Sequence, residues 1–207
     1  MRNSSLHICA LIPTYNNANT ILDVVRRTRK QLKDIIVVVE GCTDNTLDLL
    51  QELEFPISIV SHPKNKGKGH ALKQGFRKAI ELGFEYALTI DSDGQHYPED
   101  IPLLIDAIKK HPGSMIIGSR KLTSENVPGK NKFANKFSNF WFRLQTHINL
   151  PDTQTGFRIY PLNKLYGLSL LTSRYEAELL LLVLAAWHNV PLLPVDIRVY
   201  YPPKEER

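Results

Sequence analysis

Leu88-Thr89-Ile90-Asp91-Ser92-Asp93-Gly94-Gln95-His96 is an apolar run that ends abruptly in two carboxylates, a glycine, an amide and an imidazole. Residues two apart in a strand share a face, so Asp91 and Asp93 point the same way as the chain leaves a sheet. Gly94 lets the backbone turn sharply there. Two carboxylates this close repel, and each raises the other's pKa unless a cation sits between them. A hard divalent ion resolves the repulsion; Mg²⁺ in particular is held by one or two carboxylates together with substrate phosphates. The turn therefore reads as a site for a metal–phosphate substrate. Taken alone, the same residues also make an ordinary Asp-Gly turn, with Pro98 opening the next helix.

Working outward, the same strand-then-polar-turn pattern recurs. His7–Ile12 is a short apolar run that ends at Pro13-Thr14-Tyr15-Asn16-Asn17, and a helix with Ile21, Leu22, Val24 and Val25 on one face follows. Ile35–Val39 ends at Glu40-Gly41-Cys42-Thr43-Asp44, where Thr43 or Asp44 caps the next helix; Asn19 or Thr20 does so for the first. Pro56–Val60 is a third strand. It leads to Lys64-Asn65-Lys66-Gly67-Lys68-Gly69-His70, a basic glycine-rich loop opening a helix that stops at Gly83. Such a loop sets lysines and free N–H groups where phosphate is favoured, although its spacing is not that of a P-loop, and taken alone it reads more simply as a solvated, flexible connection. Phe84–Ile90 is the fourth strand, and Ser114–Ile117, ending in Gly118-Ser119-Arg120, the fifth. Buried strands alternating with helices, with unusual polar residues at the strand ends, predict an α/β fold whose ligands bind at the carboxyl edge of a mostly parallel sheet.

The second half is different. Lys121–Asn131 is polar, with Pro128 and Gly129, and reads as a mobile loop. Phe133, Phe137, Phe140, Trp141, Leu144 and Ile148 then recur at helical spacing among Lys130, Lys132, Lys136 and Arg143. Such a face suits the chain's own sheet, a membrane surface or a second copy in a homo-oligomer, and the sheet is the simplest partner for most of these residues. Pro151–Tyr160 is a polar loop running into a strand. Leu162–Leu171 reads as a short helix, and Tyr175–Trp187 as the most apolar one, with Glu178 at its head. Val190–Val199 is interrupted by Pro191 and Pro194 and reads as an edge strand.

The bulk properties set limits. The 207 residues make one large domain, with 43% hydrophobic and 23% charged residues, enough for a real core. A net charge of +5 without zinc-finger or RNA-recognition motifs argues against a nucleic-acid binder; it suits phosphorylated substrates or an anionic membrane surface. Cys9 and Cys42 lie in or beside apolar runs, which points to reduced, packed thiols and a cytoplasmic chain. There is no cationic-then-apolar signal region, and the apolar run Leu179–Trp187 is too short to span a bilayer.

Seven pieces together resemble a known family: Ile12–Asn16, Gly41–Thr46, Asn65–Gly69, Asp91–His96, Gly118–Arg120, Asp152–Arg158 and Tyr175–Glu178. They are similar, in order and spacing, to the inverting family 2 glycosyltransferases of the GT-A fold. The nearest branch is the dolichyl- or polyprenyl-phosphate mannose and glucose synthases. The resemblance implies a single domain over residues 1–207. Residues 1–120 would form a nucleotide-sugar half with a Rossmann-like sheet and helices on both faces, and 121–207 an acceptor half. It implies that Pro13, Tyr15, Asn17, Glu40, Lys68, Asp91 and Asp93 hold a GDP-mannose- or UDP-glucose-type donor. It further implies that Asp91, Asp93 and Gln95 hold Mg²⁺ or Mn²⁺, and that Arg120, Gln154, Thr155 and Arg158 meet the acceptor. Asp93, Arg120, Asp152 and Glu178 would then be the catalytic set. The acceptor would be a polyprenyl phosphate or other lipid, with the protein peripheral at the inner face of the membrane.

A lipid phosphate is already an anion and needs no general base; a hydroxyl acceptor does, and Asp152 and Glu178 are then the candidates. Two departures fall on the nucleotide side. The family's acidic pair before the second turn is Val39 and Glu40 here, with Cys42 in place of serine, and Asn17 stands where relatives carry glutamate. Two other readings compete: a nucleotidyltransferase, which would want a glycine-rich phosphate loop after the first strand, and a relative that binds nucleotide or lipid without turnover.

Overall fold

Along the first strand, β1 (Ile8–Thr14), alternate side chains enter different cores. Cys9 and Leu11 pack on one face with Ile36 and Val38, whereas Ile8, Ala10 and Ile12 pack on the other with Ile35 and Val37. A strand buried on both faces needs a helical layer on each, and the sequence supplies both. The computed structural model describes residues 6–120, 129–165 and 176–201.

The strands are β1, β2 (Ile35–Glu40), β3 (Ser58–His62), β4 (Tyr86–Thr89), β5 (Met115–Arg120), β6 (Arg158–Pro161) and β7 (Leu192–Ile197). The helices are α1 (Ile21–Gln31), α2 (Thr46–Gln51), α3 (Lys68–Glu81), α4 (Ile101–Lys110), α5 (Gly129–Thr146) and α6 (Glu176–Trp187). The sheet order is β3-β2-β1-β4-β6-β5-β7. Residues of α1, α2 and α4 pack on one face, and those of α3, α5 and α6 on the other. This is the α/β fold with a mostly parallel sheet and helices on both faces that the sequence predicts.

Two features position the site. From β1 the chain builds outward to β2 and β3, then returns to lay β4 on the other side. That reversal opens a crevice at the carboxyl ends of β1 and β4. The second feature is β6, which runs antiparallel between β4 and β5. Its first residues therefore lie beside the last residues of both neighbours, and the 152–158 loop is delivered to the carboxyl edge. Thr89 Oγ1 donates to the Gly156 carbonyl at 2.6 Å, and the Gly118 N–H to the Phe157 carbonyl at 2.8 Å.

β7 is the expected edge, paired among the described strands only with β5, so the missing N–H of Pro194 costs no ladder bond. Asp44 satisfies the start of α2, accepting the Thr46 N–H at 3.1 Å. Thr20 sits at the head of α1, but its hydroxyl donates to the Ser92 carbonyl at 2.6 Å instead of capping.

Three expectations change. The loop expected over Lys121–Asn131 is already helical from Gly129, where the described residues resume. The helix expected over Leu162–Leu171 is a single 3₁₀ turn at Leu162–Lys164 as far as it is described. The aromatic face of α5 does not pack on the sheet. The side chains that turn inward are Asn135, Ser138, Asn139 and Phe142, at helical spacing; Phe137, Phe140, Trp141 and Leu144, two residues later, are exposed. Two residues are about 200° around a helix, so the aromatic set faces away. Residues 121–128 and 166–171, Tyr175, the 204–207 end and the side chains of Lys130, Lys132 and Phe133 lie outside the described residues.

Candidate active site

The crevice at the β1/β4 reversal is a pocket of about 890 Å³. Pro13, Tyr15, Asn17, Glu40, Lys68, Asp91 and Asp93, the residues expected on the nucleotide side, all line it. Thr14, Asn65, Lys66, Gly67, Ser92 and Glu176 complete much of its wall. Each comes from a strand end or from the head of α3 or α6.

Two opposite charges face each other across this space. On one side α3 begins at Gly67, whose φ of 91° is open to glycine alone without strain. Its first turn carries Lys68, and Lys66 precedes it. On the other side is the acidic turn. Lys68 Nζ reaches Asp91 Oδ1 at 2.6 Å and Glu178 Oε2 at 3.1 Å, so one ammonium is shared by two carboxylates from opposite halves of the chain. Burial disfavours charge on Asp91, but the Lys68 ammonium outweighs it and holds the carboxyl below its ordinary range. Burial also opposes the charge on Lys68, and Asp91 and Glu178 overcome it, so the amine stays protonated. For Glu178 burial wins, with Asp91 adding to it against Lys68, and its pKa is raised. Its Oε1 is buried without a hydrogen-bond partner among the described residues.

Asp93 stands at the pocket mouth and has no ion-pair partner among the described residues. Its Oδ1 accepts the Gln95 N–H at 3.0 Å, an Asx turn that orients the carboxylate. The surrounding protein and then the charge of Asp91 push its pKa up. A carboxylate crowded by another, with no neutralising partner at Oδ2 among the described residues, is the donor that a divalent cation would satisfy. Gln95 is half-buried beside it but is not among the pocket-lining residues; its carbonyl accepts the Tyr200 N–H at 2.8 Å. His96 is buried, its Nε2 lies 3.9 Å from Asp91 Oδ2, and burial holds it neutral.

A second cluster sits at the ends of β5 and β6. Arg120 Nε and Nη2 donate to Asp152 Oδ2 and Oδ1 at 2.6 and 3.0 Å. Asp152 is fully buried and also accepts the Asn135 amide at 2.8 Å and the Gln154 N–H at 3.0 Å. Burial resists its ionisation, but Arg120 wins and holds its pKa low. With every oxygen engaged, Asp152 orients Arg120. Two residues expected on the acceptor wall lie inside the protein. Arg158 is fully buried and donates to the carbonyls of Glu178 (2.9 Å) and Thr153 (2.8 Å). Thr155 is buried too, and its hydroxyl accepts the Phe157 N–H. Gln154 is exposed. Glu178 lies behind Lys68, while Glu176, which sequence reasoning passed over, lines the pocket.

Gly156 explains how the loop and the acidic turn fit together. A Cβ on it would stand 2.8 Å from Asp91 Cγ and Oδ1, and nearer still to Oδ2. The backbone is pressed against the carboxylate, and only glycine leaves room.

Comparison with known proteins gives the family. Residues 9–166 match the family model described as glycosyl transferase family 2. The chain is 33% identical to UDP-N-acetylglucosamine–dolichyl-phosphate N-acetylglucosaminyltransferase of Methanococcus voltae, over 94% of this chain and 86% of that protein. It is 30% identical to undecaprenyl-phosphate mannosyltransferase of Micrococcus luteus, over 80% of this chain and 70% of the other. Among solved structures it is similar to glucosyl-3-phosphoglycerate synthase from Mycobacterium tuberculosis in complex with Mn²⁺, UDP and phosphoglyceric acid. The TM-score is 0.70, with 98% of this chain and 74% of that chain covered; at 17% identity the likeness concerns the fold.

Proposed function

Since the chain belongs to glycosyl transferase family 2 and is a glycosyltransferase, we propose that it moves a sugar from a nucleotide-diphosphate donor to a polyprenyl phosphate, with inversion and with a divalent metal. The observation that carries this is the apposition, across one pocket, of the lysine-bearing head of α3 and the carboxylates of the acidic turn. A diphosphate with its cation needs both signs of charge at once. Donor N–H groups and Lys66 face the phosphates, and Asp93, with Asp91 and Gln95, would hold Mg²⁺ or Mn²⁺. Bound there, the ion would neutralise the diphosphate as it leaves.

The chain's own residues do the rest. Tyr15 and Pro13 give a surface for the base and ribose, and Glu40, already held by His70 and the Lys66 N–H, stands at the inner wall. The acceptor's phosphate oxygen forms the bond to the anomeric carbon as the bond to the diphosphate oxygen breaks. Arg120, clamped by Asp152 through two of its N–H groups, presents its remaining ones to a phosphate. No proton has to be removed. A hydroxyl acceptor would need a base, and Glu178, with a free Oε1 and a raised pKa, suits that role better than the fully engaged Asp152.

Support for a lipid acceptor comes from the names of the relatives and from α5. Phe140 is 60% and Phe137 57% exposed, beside Trp141, Leu144, Lys136 and Arg143. An exposed aromatic face flanked by cations fits peripheral attachment to an anionic leaflet. No described helix is long and apolar enough to cross a membrane.

The test is thermal stability against GDP, UDP, GDP-mannose, UDP-glucose and UDP-N-acetylglucosamine, each with and without Mn²⁺. One nucleotide is expected to raise the melting temperature in a metal-dependent way by mass action, and Asp93→Asn to abolish the effect while melting cooperatively. A metal-independent shift, or full turnover by Asp93→Asn, overturns the assignment.

A further inference from the structure

Beyond the acidic turn, three side chains with transition-metal chemistry meet under α3. Glu40 and His62 end neighbouring parallel strands and stand opposite each other in register. Val38 and Val60, two residues back on each strand, pack into the core beneath α3, so Glu40 and His62 face the same helix. His70, in its first turn, comes down onto them. His70 Nδ1 lies 2.8 and 3.0 Å from the two Glu40 oxygens, and the His62 and His70 rings are 4.8 Å apart, edge to face. One donor atom from each of the three lies within 4.8 Å of the others.

We propose that Glu40, His62 and His70 form a second metal site, distinct from the acidic turn and selective for a borderline-soft ion of the Zn²⁺ type. Two imidazoles and one carboxylate are a Zn²⁺ donor set, whereas Mg²⁺ takes oxygen ligands. The site is partly built already. Glu40 is 2% exposed and is held from behind by the Lys66 N–H at 3.1 Å. His62 Nε2 is buried without a hydrogen-bond partner among the described residues, a cost that coordination would remove. A tetrahedral ion with bonds of about 2.1 Å sets its donors about 3.4 Å apart, so side-chain rotation has to open the 2.8–3.0 Å His70–Glu40 contact slightly and close the other separations from at most 4.8 Å. In the metal-free protein the His70–Glu40 hydrogen bond occupies the same position. Glu40 also lines the large pocket, which leaves the fourth coordination position open to water or to a donor atom bound there. The ion would tie β2, β3 and α3 together beneath the lysine loop.

The experiment uses the full chain stripped with chelator, then titrated with Zn²⁺ against a chromophoric chelator and, separately, loaded with Co²⁺. One equivalent of Zn²⁺ is expected to bind with an affinity unchanged in Asp93→Asn, and Co²⁺ to give the intense visible absorption of a four-coordinate site. His62→Gln and His70→Gln, made singly, should each weaken Zn²⁺ by 10-fold or more and abolish the Co²⁺ band. Their circular dichroism should stay that of the parent. If either variant fails to fold, zinc-dependent protection of the parent's histidines from diethylpyrocarbonate, read by peptide mass, decides instead. No stoichiometric Zn²⁺, binding lost in Asp93→Asn but kept in both histidine variants, or labelling of His62 and His70 unaffected by Zn²⁺ overturns the proposal. Failure here leaves the Mn²⁺-dependent nucleotide test untouched, since that test reads Asp93.

Discussion

Gly156→Ala adds one carbon where Asp91 stands. The new Cβ would fall 2.8 Å from Asp91 Cγ, whereas carbon atoms settle at about 3.5–4.0 Å. Something has to yield by roughly 1 Å. The strand cannot easily do so: Thr89 holds the Gly156 carbonyl at 2.6 Å, and Gly118 holds the next one at 2.8 Å. The displacement therefore falls on the Asp91 carboxylate and, through the 2.6 Å contact, on Lys68. Overpacking of this kind costs about 1–3 kcal/mol, which for a domain of this size lowers the melting temperature by roughly 2–12 °C. The effect on turnover is expected to be larger in proportion, because a misplacement of about 1 Å at a reacting centre costs ~10²-fold. The assay is the initial rate of nucleoside diphosphate release, using the donor that gives the metal-dependent thermal shift and polyprenyl phosphate in vesicles. A cooperative melt with kcat/KM down about 100-fold is the expected pair of results. A variant that melts a few degrees lower but retains parental kcat/KM would refute the idea that Gly156 sets the position of Asp91 for catalysis.

Replacing Lys68 with Met strands two largely buried carboxylates, so thermal melts at pH 7 should show a loss of about 3–5 kcal/mol that shrinks at pH 5 as the carboxylates protonate. Asp152 has a lowered folded pKa, so its contribution is present above the unfolded value of about 3.9 and lost as pH falls through the folded one. Asp152→Asn should therefore be less stable than the parent at pH 7 and show a flatter acid limb below pH 4 in denaturant titrations. Burial and then Asp34 push the Cys9 thiol up to about 12, while Cys42 is half-buried, so a disulfide reagent at pH 8 should label one thiol quickly, and Cys42→Ser should remove that phase. Trp141→Ser with Phe140→Ser should weaken sedimentation with anionic vesicles at least several-fold while leaving the melting temperature within about 4 °C, since exposed changes move stability by about 0.5 kcal/mol or less each; unchanged vesicle binding would dismiss the α5 face as a membrane contact.

The strands were legible because each is a short apolar run bounded by polar turns, and the pocket because its residues sit at strand ends where a parallel sheet delivers ligands. Pro13, Asp91 and Lys68 belong to different β-α units, yet their places at the carboxyl edge follow from topology. The misreadings have a common physical origin. Arg158 and Thr155 are polar residues in a polar loop, and nothing local says that β6 threads that loop back between two strands and buries it. The direction of β6 is a tertiary fact, as is the pairing of Lys68 with Glu178, some 110 residues later. The face of α5 failed for a different reason. Periodicity counts apolar residues and takes them to be the inner stripe; here the inner stripe is Asn135, Ser138 and Asn139, because the loop it packs against offers hydrogen bonds and not carbon. An amide-rich stripe at the same spacing was present in the sequence and was the signal that could have been used. His62 and His70 were equally visible, but only the register of β3 on β2 sets one of them opposite Glu40.

The shared ammonium of Lys68 shows why the two halves of this chain are a single electrostatic unit. On the proposed reading Asp91 belongs to the donor side and Glu178 to the acceptor side, and both lean on one cation carried by α3. Coulomb attraction favours the shorter contact, 2.6 against 3.1 Å, and the outcome is unequal: Asp91 is held ionised, while burial and the charge of Asp91 raise Glu178. A phosphate arriving at the head of α3 would draw on the same ammonium and weaken its hold on both carboxylates. Glu178, already the more basic of the two, would become the first to take a proton. On that reading, occupation of the donor pocket would be felt at the acceptor side through one side chain.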